Sequence, residues 1–402
     1  MKKDVQLTVV GKVFKPNEQK VLALNRCLSE FMRAVKFYIY LKDTSRRHNK
    51  PLYEEAKYRF RLPTALIQNA RDKAGETLKS FEENRKEDSV LTLKRVGIRF
   101  DARCYSFSKT TNILTQYWLN LKLNHERRIS LPMAFGKHQR QLIENAFQDK
   151  LQFTTVEMVK RRGVWYAHFT IKKTVSFTDK PETIIGIDIG EVNFATAIAL
   201  IDKPHRGQFW RGSEIKRTRG LYNHLRRRLG EKKLLRRIKV LGEKEKRKTN
   251  QQLHILANQV VQYVKQFPKP IIAIEDLNGL RKHVKFSKKI NKRVHSMPYR
   301  KLQTYIEYKA NLEGVEVRHV KAKNTSKKCH RCGHVARKVN GREFRCSKCG
   351  STYNRDLNAA VNIAQLVKSE LRWRSCEPLK PADADEGEKP HLTLEATQPV
   401  GW

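Results

Sequence analysis

The sequence predicts an α/β protein in two parts: a β-rich N-terminal half carrying a helical insert, and an α/β C-terminal half interrupted by a metal knuckle. Three observations predict it. The hydrophobic period switches from strand to helix and back to strand before Pro181. A strand, helix, strand, helix, strand order follows. Two Cys-x-x-Cys pairs then appear at a spacing suited to four thiolate ligands.

The elements follow in order. VQLTVVGKVF at 5–14 reads as a strand. From about 17 to 41, Leu24, Leu28, Phe31, Val35 and Tyr38 recur at spacings of four and three, which places them on one helix face. A second helix begins at Pro63, where Leu66, Ala70, Ala74, Leu78 and Phe81 repeat the pattern, so 16–86 reads as a helical insert. From about 88 to 178 the period drops to two. Leu119, Leu121 and Leu123 alternate with polar or amphipathic neighbours, and MVKRRGVWYAHFTIKK reads as a hairpin turning near Gly163. The β-rich stretch is expected to close into a barrel with the first strand. Its Arg161, Arg162, Trp165, Tyr166 and His168 suit nucleic-acid contact, although half-buried strand aromatics are the commoner arrangement.

After Pro181, TIIGIDIGEVNFATAIAL reads as a central strand buried on both faces. A long basic helix follows over 216–248, docking through Leu221, Leu225 and Leu229. Next come an amphipathic helix with Leu253, Leu256, Val260, Val264 and Phe267, the buried strand IIAIEDL, a helix from about Pro298 to Leu312, and the strand VEVRHV. The segment 373–402, rich in proline and acid, reads as a disordered tail.

Charge narrows the function class. The 402 residues hold 84 Lys and Arg against 40 Asp and Glu, a formal charge of +44, and an excess of that size points to a polyanionic partner such as nucleic acid. The basic helix is the densest part, with fifteen Lys or Arg against three Glu; Arg226, Arg227, Arg228, Lys232, Lys233, Arg236 and Arg237 are the candidate phosphate contacts. No apolar run reaches eighteen residues and no signal-peptide pattern opens the chain, so a soluble cytoplasmic protein is expected, with no membrane partner.

Four of the seven cysteines, Cys329, Cys332, Cys346 and Cys349, have the arrangement of a tetrahedral structural zinc site. Asn340-Gly341 between them favours a hairpin turn that closes the loop. With four thiolates present, His330 and His334 are spare and read as solvated or phosphate-facing. Three carboxylates sit where burial makes them costly: Asp188 within IIGIDIG, Glu275 at the end of IIAIE, and Asp356 at the start of LNAAVNIAQL. Taken singly, each has an ordinary reading as a turn cap, a strand end or an early-helix acid. Together, as hard oxygen donors in one basic α/β domain, they suit Mg²⁺ or Mn²⁺ and phosphodiester hydrolysis. Glu191 and Asp276 are expected to face solvent or to support the cluster.

These residues carry a family resemblance. GIDIG, IEDLNGL, the TSKKCHRCG…CSKCG ribbon and NRDLNAAVNIA resemble, in order, the split RuvC motifs and zinc ribbon of TnpB, the transposon-encoded relative of type V CRISPR effectors. The resemblance covers about 183–370 and extends more weakly to LPTALIQNARDKA in the N-terminal half. It implies an RNase H-like (RuvC) nuclease domain over 181–325 and 351–372, with a zinc ribbon inserted at 326–350. It also implies a β-barrel wedge domain over 1–15 and 87–180, with a helical recognition insert at 16–86. Asp188, Glu275 and Asp356 would be catalytic, the partners a guide RNA and target DNA, and the place of action the nucleoid. In such a system base pairing reads sequence while the protein reads a short adjacent motif. The intact acid pattern argues against catalytically dead relatives. A regulator that binds RNA and DNA without cutting, and a compact CRISPR effector, remain the alternatives. A transposase in its own right is disfavoured, because no His-x-His plus Tyr nicking arrangement is present. A monomer is the working expectation; the oligomeric state, guide sequence, adjacent motif and cleavage pattern stay open.

Overall fold

The structure, a computed structural model, describes residues 2–41, 50–85, 89–93, 95–111, 115–124, 128–149, 151–205, 207–277, 297–321, 324–337, 339 and 341–371. The expected tail at 373–402 and Asn340 of the expected ribbon turn lie outside the described residues. The chain divides into two compact units, residues 2–175 and the part from Ser176 onward.

The N-terminal unit opens with β1 (Lys2–Val13), followed by α1 (Glu18–Leu41), α2 (Lys50–Arg59) and α3 (Thr64–Asn84). On α1 the buried residues are Ala23, Leu24, Cys27, Phe31, Ala34, Val35 and Tyr38, the face that the spacing of four and three predicts. Pro63 stands just before α3, and its carbonyl accepts the N–H groups of Leu66 and Ile67. The short, strongly charged α2 escaped the sequence reading because only Ala56 in it is buried.

The strands β2 (Ile98–Asp101), β3 (Tyr105–Lys109), β4 (Tyr117–Lys122), β5 (Arg128–Ala134), β6 (Gln152–Arg161) and β7 (Val164–Ser176) join β1 in a seven-stranded sheet, with α4 (Lys137–Gln148) between β5 and β6. Its order is β2-β6-β7-β1-β5-β4-β3. Among the described residues no ladder joins β2 to β3. Only Ala102, Arg103 and Cys104 separate the two in the chain. The hairpin turns where expected, with Arg161 opposite Val164 and both Arg162 and Gly163 at positive φ. Trp165 faces inward at 2% exposure, which removes it from the nucleic-acid candidates; Arg161, Arg162, Tyr166 and His168 remain outside the core. Helices and strands share one hydrophobic core, so the helical insert does not form a separate hydrophobic core.

The C-terminal unit is built on β8 (Thr183–Asp188), β9 (Asn193–Leu200), β10 (Gln208–Arg211), β11 (Pro270–Glu275) and β12 (Glu316–Val320). Its order is β10-β9-β8-β11-β12, with β8, β11 and β12 parallel and β9 and β10 antiparallel additions. The single strand expected over 183–200 is therefore a hairpin, broken at 189–192. Its apolar run is continuous because both limbs are buried on both faces.

The basic stretch and the amphipathic helix after it are also divided differently. They form α5 (Ser213–Glu231) and α6 (Leu235–Val264), with the break at Lys232–Leu234, where Lys233 takes a positive φ. Leu221 is exposed on α5; the buried contacts of that helix are Ile215 and Thr218 near its start. The helices α6 and α7 (Tyr299–Leu312) pack on one face of the sheet through Leu253, Ala257, Val260, Leu302 and Ile306. The last helix, α8 (Arg355–Glu370), packs on the other face through Ile363, Ala364 and Val367.

The packing of α8 on β8 is unusually close. A Cβ at Gly186 would lie 2.0 Å from the carbonyl oxygen of Ala360, so only glycine allows that approach. Gly186→Ala should cost about 2 kcal/mol or more in denaturant unfolding, because the obstacle is backbone. Gly220→Ala, in open space on α5, should instead add about 0.5–1 kcal/mol.

Candidate acid cluster and metal centre

Two of the predicted acids leave the sheet together. The parallel register sets Ile187 beside Ile274, so the next residues, Asp188 and Glu275, emerge side by side at the carboxyl ends of adjacent central strands. That is where open α/β sheets place their ligands. The backbone carbonyl of Glu275 accepts from Gln303 Nε2 at 2.7 Å, which ties the strand end to α7.

The third acid arrives from the opposite side of the sheet. Asn354 caps α8, its Oδ1 accepting the N–H groups of Asp356 at 2.9 Å and Leu357 at 3.3 Å, so Asp356 sits in the first turn near the positive end of the helix. Below it, Ala359, Ala360, Ile363 and Ala364 are small enough or apolar enough to lie directly on the strands. Asp356 itself is buried. Its Oδ2 accepts from Asn193 Nδ2 and from Arg342 Nη1, each at 2.9 Å, and Arg355 Nε stands 3.9 Å from Oδ1.

The electrostatics show that the three carboxylates share one field. Burial pushes the Asp188 carboxyl up to about 7, and the charges of Asp356 and Glu275 push it further in the same direction, against a smaller pull from Arg355. Burial and the neighbouring Asp276 likewise raise Glu275. Asp188 is therefore the middle member, pressed by both others. Among the described residues only the cysteines bring three or more ligand atoms within 4.8 Å of one another, so the acids are spread wider than one small ion would span. The donor set of three carboxylates suits hard divalent cations. The neighbouring acids play lesser parts: Glu191 pairs with Lys216 at 3.8 Å, and the Asp276 N–H bonds to Val320 O.

The cysteines form a compact cluster. Cys329 and Cys349 Sγ are 3.8 Å apart, Cys332 and Cys346 Sγ 3.5 Å, and all four lie within 4.8 Å of one another. Sulfurs about 2.3 Å from a tetrahedral ion stand roughly 3.8 Å apart, so these residues could hold zinc. Each knuckle closes on a glycine at positive φ: Gly333 donates to Cys329 O and Gly350 to Cys346 O. Gly341, at positive φ, stands shortly before β13 (Glu343–Arg345), which pairs with β14 (Thr352–Asn354) around the second knuckle.

The spare histidines bind protein. His330 meets Asn358 Oδ1 through both its N–H and its Nδ1, each at 3.0 Å, and packs on Tyr353; His334 Nε2 pairs with Ser347 Oγ. A polar stripe on α8 fastens the knuckle module. Asn358 donates to Lys328 O, Asn362 to Thr325 O and Lys328 O, and Gln365 to His330 O. Sequence reasoning missed this stripe, Asn193 and Arg342. The signal for the stripe was legible as two asparagines four residues apart in an otherwise apolar buried helix; for Asn193 and Arg342 no local signal exists.

Of the seven basic candidates, Arg227, Arg228, Lys232, Lys233, Arg236 and Arg237 are exposed on α5, at the break, and on the start of α6. Arg227 lies 3.8 Å from Glu231. Arg226 is different: it pairs with the buried Glu245 of α6 and ties the two helices together, which removes it from the phosphate contacts. Among the described residues no helix is long and apolar enough to cross a membrane.

Comparison with known proteins gives the family. A family model described as "Cas12f1-like, TNB domain" matches residues 299–363. The chain is 31% identical over 208 residues to the TnpB-like protein MJ0751 of Methanocaldococcus jannaschii, across 49% of this chain and 73% of that protein. It is also 31% identical over 150 residues to the CRISPR-associated endodeoxyribonuclease Cas12f1 of an uncultured archaeon, spanning 35% of this chain but only 28% of that one. In fold it resembles the protein in the cryo-EM structure of a Cas12f1-sgRNA-target DNA complex. The TM-score is 0.65 at 17% identity, over 86% of this chain and 82% of that one. On the strength of the match across most of a TnpB-like relative, this chain belongs to the TnpB family.

Proposed function

We propose that the chain is an RNA-guided DNA endonuclease that binds a guide RNA, recognises a target-adjacent motif and hydrolyses phosphodiester bonds at Asp188, Glu275 and Asp356. One observation carries the reading: three acids from separate parts of the chain converge so that Asp188 is raised to about 7 by burial and by the other two. Like charges gathered at the strand ends gain nothing by themselves, whereas divalent cations and a phosphate ester would compensate them.

The same reading divides the chain among its parts. The part from 181 to 325 and from 351 to 372 forms the RNase H-like (RuvC) domain, with the zinc ribbon at 326–350. The segments 1–15 and 87–180 form the wedge barrel, and 16–86 the recognition insert. Bound Mg²⁺ or Mn²⁺ would lower the pKa of a water and stabilise the leaving oxygen. Asp188, Glu275 and Asp356 would hold these ions. Asn193 and the α8 cap hold the Asp356 carboxylate in place. The exposed Arg227, Arg228, Lys232, Lys233, Arg236 and Arg237 would neutralise backbone phosphates, and the relatives named as endodeoxyribonucleases make DNA the substrate.

With co-purified RNA and Mg²⁺, the protein should cut DNA that matches the guide, and Asp188→Ala should slow cutting on the order of 10³-fold with RNA binding retained. Undiminished cutting by that variant would refute the assignment. Removal of zinc, or Cys346→Ser, should lower the melting temperature, because four thiolates hold a module with a small core of its own. In EDTA, the stability contributed by protonated Asp188 is complete below its unfolded value near 3.8 and is lost as pH rises through about 7. Metal-free protein should therefore weaken between pH 5 and 8 relative to Asp188→Asn, in matched denaturation curves.

A further inference from the structure

We propose that Arg342 is a built-in counter-cation for Asp356, one that divalent metal must displace, and that it links loading of the acid cluster to the cysteine hairpin. The inference rests on the reading of the three acids as a metal site. Arg342 Nη1 donates to Asp356 Oδ2 at 2.9 Å, the same oxygen that accepts from Asn193. The two partners differ in freedom: the Asp356 side chain is 8% exposed and the Arg342 side chain 43%. Asp356 is held by the helix cap and by the packing of α8, so it stays. The guanidinium lies on the solvent side and can swing away.

A cation bound at Asp356 would meet that positive charge at short range, with Arg355 adding a second one near Oδ1. Loading the cluster therefore means moving Arg342 aside or binding against it. Its backbone is not free to follow, because Arg342 O accepts the Arg355 N–H at 2.8 Å, and the next residue pairs with Asn354 in the β13–β14 ladder around the second cysteine pair. The thiolate cluster thus fixes the root of the side chain whose tip balances the acid. The ribbon delivers a charge as well as a shape.

The test is Mn²⁺ binding by the purified full-length chain, followed by the paramagnetic resonance signal of free Mn²⁺, with zinc content measured alongside. Arg342→Gln should retain zinc and bind Mn²⁺ about five- to tenfold more tightly than the unaltered protein. Arg345→Gln, an exposed arginine on the same hairpin, should leave the affinity unchanged, and Asp356→Asn should weaken it. If Arg342→Gln loses zinc, Arg342→Lys, which shortens the reach, is read instead and must again bind Mn²⁺ more tightly. Unchanged or weaker binding by the Arg342 variant, with Asp356→Asn impaired, overturns this inference and leaves the metal site standing. Absence of Mn²⁺ binding by the unaltered protein overturns both.

Discussion

The C-terminal unit depends on one steric constraint: α8 lies on β8 so closely that the Ala360 carbonyl fills the space a side chain at Gly186 would need. Everything at the acid cluster follows from that approach. Because the glycine lets the helix lie this close, its first turn is delivered to the strand ends, and Asp356 reaches the field of Asp188. The small residues Ala359, Ala360 and Ala364 have the same purpose as the glycine, which is to let backbone approach backbone.

The same helix answers why a cysteine knuckle stands directly before a carboxylate. Along one stripe α8 is apolar and packs on the sheet; along another it carries Asn358, Asn362 and Gln365, whose amides satisfy backbone carbonyls of the knuckle module. A module with so small a core gains its position from those bonds. It returns Arg342 to the acid at the helix start. Sheet, helix and knuckle are thus joined by directional polar contacts, which specify geometry more tightly than apolar area alone.

Charge works on two scales in this chain. Most of the basic excess is displayed on exposed surfaces such as α5 and the start of α6, where it costs little. Among the described residues the buried charges are Glu245, paired with Arg226 between two helices, and Asp356, which stands in one field with the half-buried Asp188 and Glu275. The Glu245–Arg226 pair ties two helices together, whereas acids pressed against acids, even with Arg342 beside one of them, read as a place for cations.

By itself the amino-acid order determined most element types, though not α2 or α4, the inward faces of α1, α3 and β4, and the knuckle pairs, and it singled out three acids as candidates. All of these rest on short-range periodicity, or on one charged residue standing among apolar ones. It misjudged two boundaries, the hairpin β8–β9 and the α5–α6 break, and also the exposure of Leu221. A continuous apolar or basic run does not reveal where the backbone reverses. Only the tertiary structure decided that Arg226 serves Glu245, that His330 serves Asn358, and that Arg342 and Asn193 share one oxygen of Asp356. Those pairings join residues brought close by packing, and no period along the chain encodes them.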